Sequence, residues 1–111
     1  MKRFKYAFQG MLVLLRKDNK FLIHLLIGLA TIIFGIICGI NQIEWLFVIF
    51  AIGIVLAFET INTAVEYVVD LVTDDYHILA KKAKDIAAFS VVLASITALA
   101  IGIIVFLPYV F

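Results

Sequence analysis

The sequence predicts an all-α integral membrane protein with an N-terminal amphipathic surface helix and three transmembrane helices. Hydrophobic residues make up 66% of the 111 residues, against about 45–50% in a soluble domain. They occur in long blocks, and about 20 consecutive apolar residues suffice for a helix to cross a bilayer core. There is one proline, Pro108, so no proline-rich linker divides the chain. We therefore interpret residues 1–111 as a single domain.

Residues 1–20 are predicted to form the surface helix. Phe4, Phe8, Met11 and Leu15 recur at the spacing of one helix face. Basic residues lie elsewhere on the helix, and this combination is typical of a helix at a membrane surface. The apolar part of the segment is too short for a secretory signal.

Three membrane spans follow, at 21–40, 45–73 and 84–107, with a short loop at 41–44. The polar segment 74–84 is expected to be a loop or helical turn, and Pro108 to close the third helix. Cys38, the single cysteine, is interpreted as a packing residue. His24 shares a narrow face with several glycines, which let helices approach closely, and is interpreted as an interfacial or packing histidine and not as a ligand.

The basic residues predict the orientation. All nine Lys and Arg fall within residues 2–20 or 81–84. The positive-inside rule then places the N-terminus and second loop in the cytoplasm, and the first loop and C-terminus outside. The expected location is a plasma membrane, and no nucleic-acid partner is expected.

A polar stripe on the second span is the candidate site. Glu59, Asn62, Glu66 and Asp70 share one face of an otherwise apolar helix, and intramembrane carboxylates usually mark a site. By helical rise, Glu59 lies about 20 Å from Trp45, inside the bilayer edge, and Glu66 about 31 Å away, at the far interface.

The stripe by itself leaves several functions open. Proton or cation transport is one, although three spans are few for a transporter. Hard oxygen ligands suit Mg²⁺, which together with Lys81, Lys82 and Lys84 would suit a polyphosphate. The chain contains no P-loop or protein-kinase motif. A non-enzymatic membrane scaffold is the third alternative.

The pattern ExxNTAxExxxD from Glu59 to Asp70, followed by DYH at 75–77 and AKDxAA at 83–88, resembles the prokaryotic diacylglycerol kinase family. These are small trimeric membrane kinases unrelated to soluble lipid kinases. The resemblance covers nearly the whole chain and implies a homotrimeric bundle whose active sites form between subunits. It also implies ATP as co-substrate and Mg²⁺ as cofactor.

The resemblance further implies roles for individual residues. Glu59 matches the general base that accepts the proton of the lipid hydroxyl, Glu66 matches a ligand of the ATP-associated Mg²⁺, and Asn62 is expected to orient the carboxylates. Asp18 matches a second metal carboxylate that is usually Glu in the family. The expected nucleotide-binding residues are Tyr6, Asp18, Glu66, Asp75, Tyr76, His77, Lys84 and Asp85.

The expected substrate is a lipid alcohol. The segments IEWLFV at 43–48 and TDDYH at 73–77, with His24, look like the Gram-positive branch, whose members mostly phosphorylate undecaprenol. Diacylglycerol is the alternative substrate. Asp70 and Asp74 are interpreted as solvated helix-end acids, and Lys81 and Lys82 as membrane anchors.

Overall fold

A computed structural model describes residues 2–17 and 19–111. Throughout these residues the regular structure is helical, in four helices: α1 (Lys2–Lys17), α2 (Asn19–Cys38), α3 (Gln42–Val72) and α4 (Ile78–Val110). The last three are long and apolar enough to cross a membrane. This agrees with the predicted all-α class and its three spans.

The helix ends are set by local chemistry. Asn41 caps α3 by accepting from the Glu44 N–H, while the Glu44 side chain accepts from the Asn41 N–H. This reciprocal capping box satisfies two donors that have no partner within the helix. Gly39, with a φ of 67°, supplies the left-handed turn after α2 that glycine adopts without strain. Helix α3 therefore starts at Gln42, within the segment 41–44 expected to be a loop.

Helix α4 extends beyond the predicted third span at both ends. The His77 Nδ1 atom accepts from the Leu79 N–H and caps the helix there, so the chain is already helical before Lys84. Pro108 lies inside the helix, and the Phe111 N–H still bonds to the Leu107 carbonyl. Proline lacks an N–H but has a helical φ, so it does not end α4 in this last turn.

Helix α3 packs along α4 and, less extensively, against α2. Two glycines of α2 make the α2–α3 contact close. A Cβ added at Gly28 would lie 3.0 Å from Ile52, and one at Gly35 would lie 2.8 Å from Trp45. This supports the packing interpretation of the glycine face.

The apolar core lies at the end of the bundle where α2 and α3 are joined. Buried Ile40, Val48 and Val105 form its centre, with Trp45 and Phe106 packed around them. The rings of Phe34 and Phe106 lie 5.0 Å apart between centroids. The polar stripe of α3 begins at Glu59, on the part of α3 that lies farther from this core.

Candidate active site

Three neighbouring polar residues of α3 are buried between the helices. The exposed fractions are 1% for Glu59, 6% for Asn62 and 4% for Thr63. The Thr63 hydroxyl donates to the Glu59 backbone carbonyl at 3.1 Å, which satisfies it within the helix. A carboxylate buried in a helix that is apolar enough to cross a membrane usually marks a functional position, so this cluster is the candidate site.

His24 of α2 faces this cluster. Its Nδ1 atom lies 3.4 Å from Glu59 Oε2, and its side chain is 25% exposed. Nδ1 is buried and has no hydrogen-bond partner within 2–17 and 19–111. His24 was expected to be an interfacial or packing histidine, and the structure places it beside the buried Glu59 carboxylate. Its position one turn into the first span gives no indication of this contact, because the contact depends on how α2 docks on α3.

Asn62 connects the buried cluster to Glu66. Its Nδ2 donates to Glu66 Oε1 at 3.3 Å, one turn further along α3. Its Oδ1 is buried and makes no hydrogen bond to the described residues. The orienting role of Asn62 stays a prediction, for which the first contact supplies the geometry. The second atom is an acceptor available for a ligand.

Two neighbouring spaces lie beside His24 and the buried polar cluster of α3. One is a cavity of about 420 Å³, here called the polar cavity because Lys20 and His24 from α2 and Glu59 and Asn62 from α3 line it; its α4 side is apolar except for Ser95. An apolar groove of about 720 Å³ runs along α2, α3 and α4 toward Phe111. His24, Ser95 and Leu99 line both spaces, so the polar cavity and the groove are neighbours on either side of these residues.

A second polar cluster lies where α3 ends and α4 begins. Lys84 Nζ is 2.7 Å from Asp70 Oδ1, and Lys81 Nζ is 2.6 Å from Asp85 Oδ2. These side chains are 42–63% exposed. Asp70 was expected to be a solvated acid, and it is exposed but paired with Lys84. The predicted anchor Lys81 is paired with Asp85.

Helix α1 reaches the same region. Lys17 Nζ lies 3.5 Å from the centroid of the Tyr67 ring, which is within the range of an attractive cation–π contact. Neither residue was singled out from the sequence, because nothing in their spacing indicates that the end of α1 returns to the outer part of α3.

The remaining predicted nucleotide-binding residues are spread over the surface. Tyr6 on α1 is 63% exposed and Tyr76 is 79% exposed. Asp75 is held by its own loop, through reciprocal bonds with the Thr73 hydroxyl, and His77 caps α4. Among the described residues, no hydrogen bond or ion pair joins these four to Glu59 or Glu66. Asp18, the predicted second metal ligand, lies outside the described residues.

The donor set is compatible with Mg²⁺ and unlike a transition-metal cage. No group of three or more His, Cys, Asp or Glu side chains capable of holding a metal occurs in the described ranges. Mg²⁺ does not require such a group, because it is usually bound by one or two carboxylates together with water and substrate phosphates. The Glu66 carboxylate and the unpartnered Asn62 Oδ1 are donors of that kind.

Comparison with known proteins determines the family. The family model described as prokaryotic diacylglycerol kinase matches residues 5–106. This chain belongs to the prokaryotic diacylglycerol kinase family. Together with its three apolar helices, membership makes it a membrane-bound lipid kinase, a transferase that uses ATP, and not a non-enzymatic scaffold.

Individual relatives carry two different names. The chain is 37% identical over 107 residues to "Undecaprenol kinase" of Bacillus subtilis (strain 168), covering 96% of this chain and 87% of the relative. It is 38% identical over 106 residues to "Diacylglycerol kinase" of Synechocystis sp. (strain ATCC 27184 / PCC 6803 / Kazusa), covering 95% and 61%. It is 31% identical over 90 residues to "Diacylglycerol kinase" of Haemophilus influenzae (strain ATCC 51907 / DSM 11121 / KW20 / Rd), covering 81% and 76%.

Proposed function

We propose that this kinase transfers the γ-phosphoryl group of ATP to the primary hydroxyl of undecaprenol, giving undecaprenyl phosphate. The observation that carries the proposal is the position of Glu59, 1% exposed, in a polar cavity that shares lining residues with an apolar groove. The Bacillus subtilis relative named undecaprenol kinase, which matches 96% of this chain, supports the choice of lipid.

Glu59 accepts the hydroxyl proton in this mechanism. As the lipid oxygen bonds to the γ-phosphorus, the proton passes to the Glu59 carboxylate and the bond between that phosphorus and the ADP oxygen breaks. A positioned general base of this kind contributes roughly 100- to 10,000-fold to a rate. The low exposure of Glu59 keeps bulk water away from the reacting oxygen, which limits ATP hydrolysis.

Glu66 would hold Mg²⁺ by its carboxylate, with the unpartnered Asn62 Oδ1 as a further oxygen donor and Asp18 as the second metal carboxylate. Bound Mg²⁺ neutralises charge on the phosphates of ATP during transfer. Asn62 keeps the Glu66 carboxylate oriented through its Nδ2 hydrogen bond of 3.3 Å. Glu59 lies seven residues from Glu66, about 10 Å by helical rise, so proton acceptance and metal binding occupy different turns of α3.

The exposed cluster and the loop after α3 bind the nucleotide. When the nucleotide binds, Lys84 leaves Asp70 and contacts phosphate oxygens. Asp85 leaves Lys81 and contacts polar groups of the nucleotide. Such exchange is inexpensive because exposed ion pairs contribute little stability. Further nucleotide contacts come from four residues of the loop and of α1: Tyr6, Asp75, Tyr76 and His77.

The apolar groove accommodates the lipid tail. It is about 720 Å³ in volume and is lined mainly by apolar side chains of three helices. A long isoprenoid chain requires such a surface, with its hydroxyl end at the polar cavity. Two acyl chains could also lie in an apolar groove, and the two relatives named diacylglycerol kinase make diacylglycerol the second candidate.

The assembly is a homotrimer with active sites between subunits, and α1 lies on the cytoplasmic membrane surface. Many large apolar side chains of α2, α3 and α4 are exposed in the single chain, for example Ile37, Phe50 and Ile104. Lipid and neighbouring subunits would cover them. Both the polar cluster and the basic residues lie at the end of the bundle predicted to be cytoplasmic, where ATP is available.

The proposal is tested by phosphoryl transfer in mixed micelles. Purified protein receives γ-labelled ATP with undecaprenol or diacylglycerol in parallel, with and without Mg²⁺. We expect label to appear in undecaprenol only when Mg²⁺ is present. Any labelling of diacylglycerol should be slower than that of undecaprenol. A preference for diacylglycerol would overturn the choice of substrate, and no Mg²⁺-dependent product with either lipid would overturn the kinase mechanism.

A further inference from the structure

His24 of α2 lies beside the predicted general base, Glu59 of α3. The distance from Nδ1 to Glu59 Oε2 is 3.4 Å, and no other described group accepts from or donates to this buried nitrogen. The imidazole also lines both the polar cavity and the apolar groove. It therefore lies where a lipid passes from the groove to the site of transfer.

We propose that His24 is a positioning residue that holds the Glu59 carboxylate through Nδ1–H during phosphoryl transfer. The inference rests on the proposed function and extends it to a residue on a different helix. A carboxylate on a flexible glutamate side chain has several rotamers, and a general base must lie within hydrogen-bond reach of the proton it accepts. Fixing Oε2 from α2 restricts the carboxylate to one orientation.

The distance is compatible with this role. It is longer than the usual 2.7–3.2 Å range for an N–H···O bond, but catalytic hydrogen bonds are often long before substrate binds and shorten in the substrate complex. A bond to an ionised carboxylate is about twice as strong as one between neutral groups. The Nδ1 tautomer follows from the geometry, because Nδ1 is the ring nitrogen that faces Glu59.

The packing of α2 explains how His24 reaches Glu59. Gly28, one turn after His24, is buried against Ile52 of α3, and a Cβ there would lie 3.0 Å from the Ile52 side chain. The missing side chain lets the two helix backbones approach closely. The glycine thus sets the separation at which the imidazole one turn away contacts the carboxylate.

The test uses three substitutions of His24 that differ in which nitrogen they replace. His24→Asn places an amide N–H near the position of Nδ1, His24→Gln places one near Nε2, and His24→Leu removes both. We expect His24→Leu to lower kcat by about 100-fold, the effect of misplacing a reacting group by about 1 Å. KM for ATP should stay within twofold, His24→Asn should recover most of kcat, and His24→Gln should recover little.

Several results would overturn the positioning role. They are near-wild-type kcat in His24→Leu, a loss confined to KM for the lipid, or equal losses in the Asn and Gln variants. If wild type itself phosphorylates neither alcohol, the proposed function fails instead, so the two failures are distinguishable. Size-exclusion profiles identify any variant that does not fold.

A readout without turnover covers the case in which substitution of His24 disturbs folding. Wild type and Glu59→Gln, both with His24 present, are labelled with ¹⁵N. We expect the His24 Nδ1–H proton resonance to lie further upfield in Glu59→Gln than in wild type, since a neutral acceptor weakens the bond. His77, whose Nδ1 accepts from Leu79 N–H, is the internal reference and should not shift. An unchanged His24 resonance would contradict the contact.

Discussion

The buried and exposed polar clusters of this kinase use the same residue types in opposite ways. Glu59 is 1% exposed and held among α2, α3 and α4, whereas Lys84 and Asp70 are 42% and 55% exposed and pair across the α3–α4 turn. A buried carboxylate has few alternative positions, which suits proton acceptance. An exposed ion pair rearranges at little cost, which suits binding and release of a charged nucleotide.

Glu59→Gln is expected to have the largest effect on catalysis. The amide keeps the size of the side chain but cannot accept the lipid proton, so kcat should fall by about 100- to 10,000-fold. The variant should fold normally, because a neutral amide is easier to bury than a carboxylate. Label transfer to the lipid in micelles measures the effect. Near-wild-type turnover would show that Glu59 is not the general base.

Glu66→Gln makes the same chemical change two turns further out and should have a different consequence. We expect the Mg²⁺ concentration for half-maximal activity to rise by about 10- to 100-fold, as when a metal site loses one contact. High Mg²⁺ should restore part of the rate. A magnesium titration tests this, and an unchanged midpoint with reduced kcat would contradict the division between the two carboxylates.

Lys84→Met tests the exposed cluster. Loss of one charge-assisted contact to phosphate should raise KM for ATP by about tenfold, with little change in kcat or thermal stability. Lys82→Met is the matched control, since Lys82 is exposed and makes no ion pair with the described residues. Equal effects of the two variants on KM would mean that only general positive charge matters.

Thr63→Val should have the smallest effect. The substitution removes the hydroxyl that donates to the Glu59 carbonyl, which is expected to cost about 1 kcal/mol or less in stability and to lower kcat by less than about tenfold. Thr60 makes the equivalent bond to the Leu56 carbonyl at an exposed position, so Thr60→Val is the control. If Thr60→Val lost more thermal stability or more kcat than Thr63→Val, the buried position of the Thr63 hydroxyl would not explain its effect. Thermal unfolding and turnover of both variants decide the comparison.

The part of the site that lies on one helix could be predicted from the sequence. Glu59, Asn62 and Glu66 share a face because of the helical period, and the Asn62–Glu66 hydrogen bond follows from their four-residue spacing. The three apolar helices were also predictable from the sequence, because length and composition decide whether a helix can span a bilayer.

Contacts between helices could not be predicted in this way. His24 and Glu59 are 35 positions apart, and Asp70 and Lys84 are 14 apart; their meeting depends on helix docking. The start of α4 at Ile78 was missed because a polar segment was expected to interrupt the helix, whereas His77 provides a cap. Pro108 was expected to end α4, but the helix continues through it to Val110, and the Phe111 N–H still bonds to the Leu107 carbonyl.

Glu59 and Glu66 are proposed to have separate roles, proton acceptance and Mg²⁺ binding, and one series of binding measurements tests this separation most directly. Calorimetric titration of wild type, Glu59→Gln and Glu66→Gln with a non-hydrolysable ATP analogue, with and without Mg²⁺, separates nucleotide binding from proton acceptance. We predict that Glu59→Gln binds the Mg²⁺–nucleotide complex as wild type does while failing to transfer phosphate, and that Glu66→Gln binds it weakly. Loss of nucleotide binding in Glu59→Gln as large as that in Glu66→Gln would contradict the account.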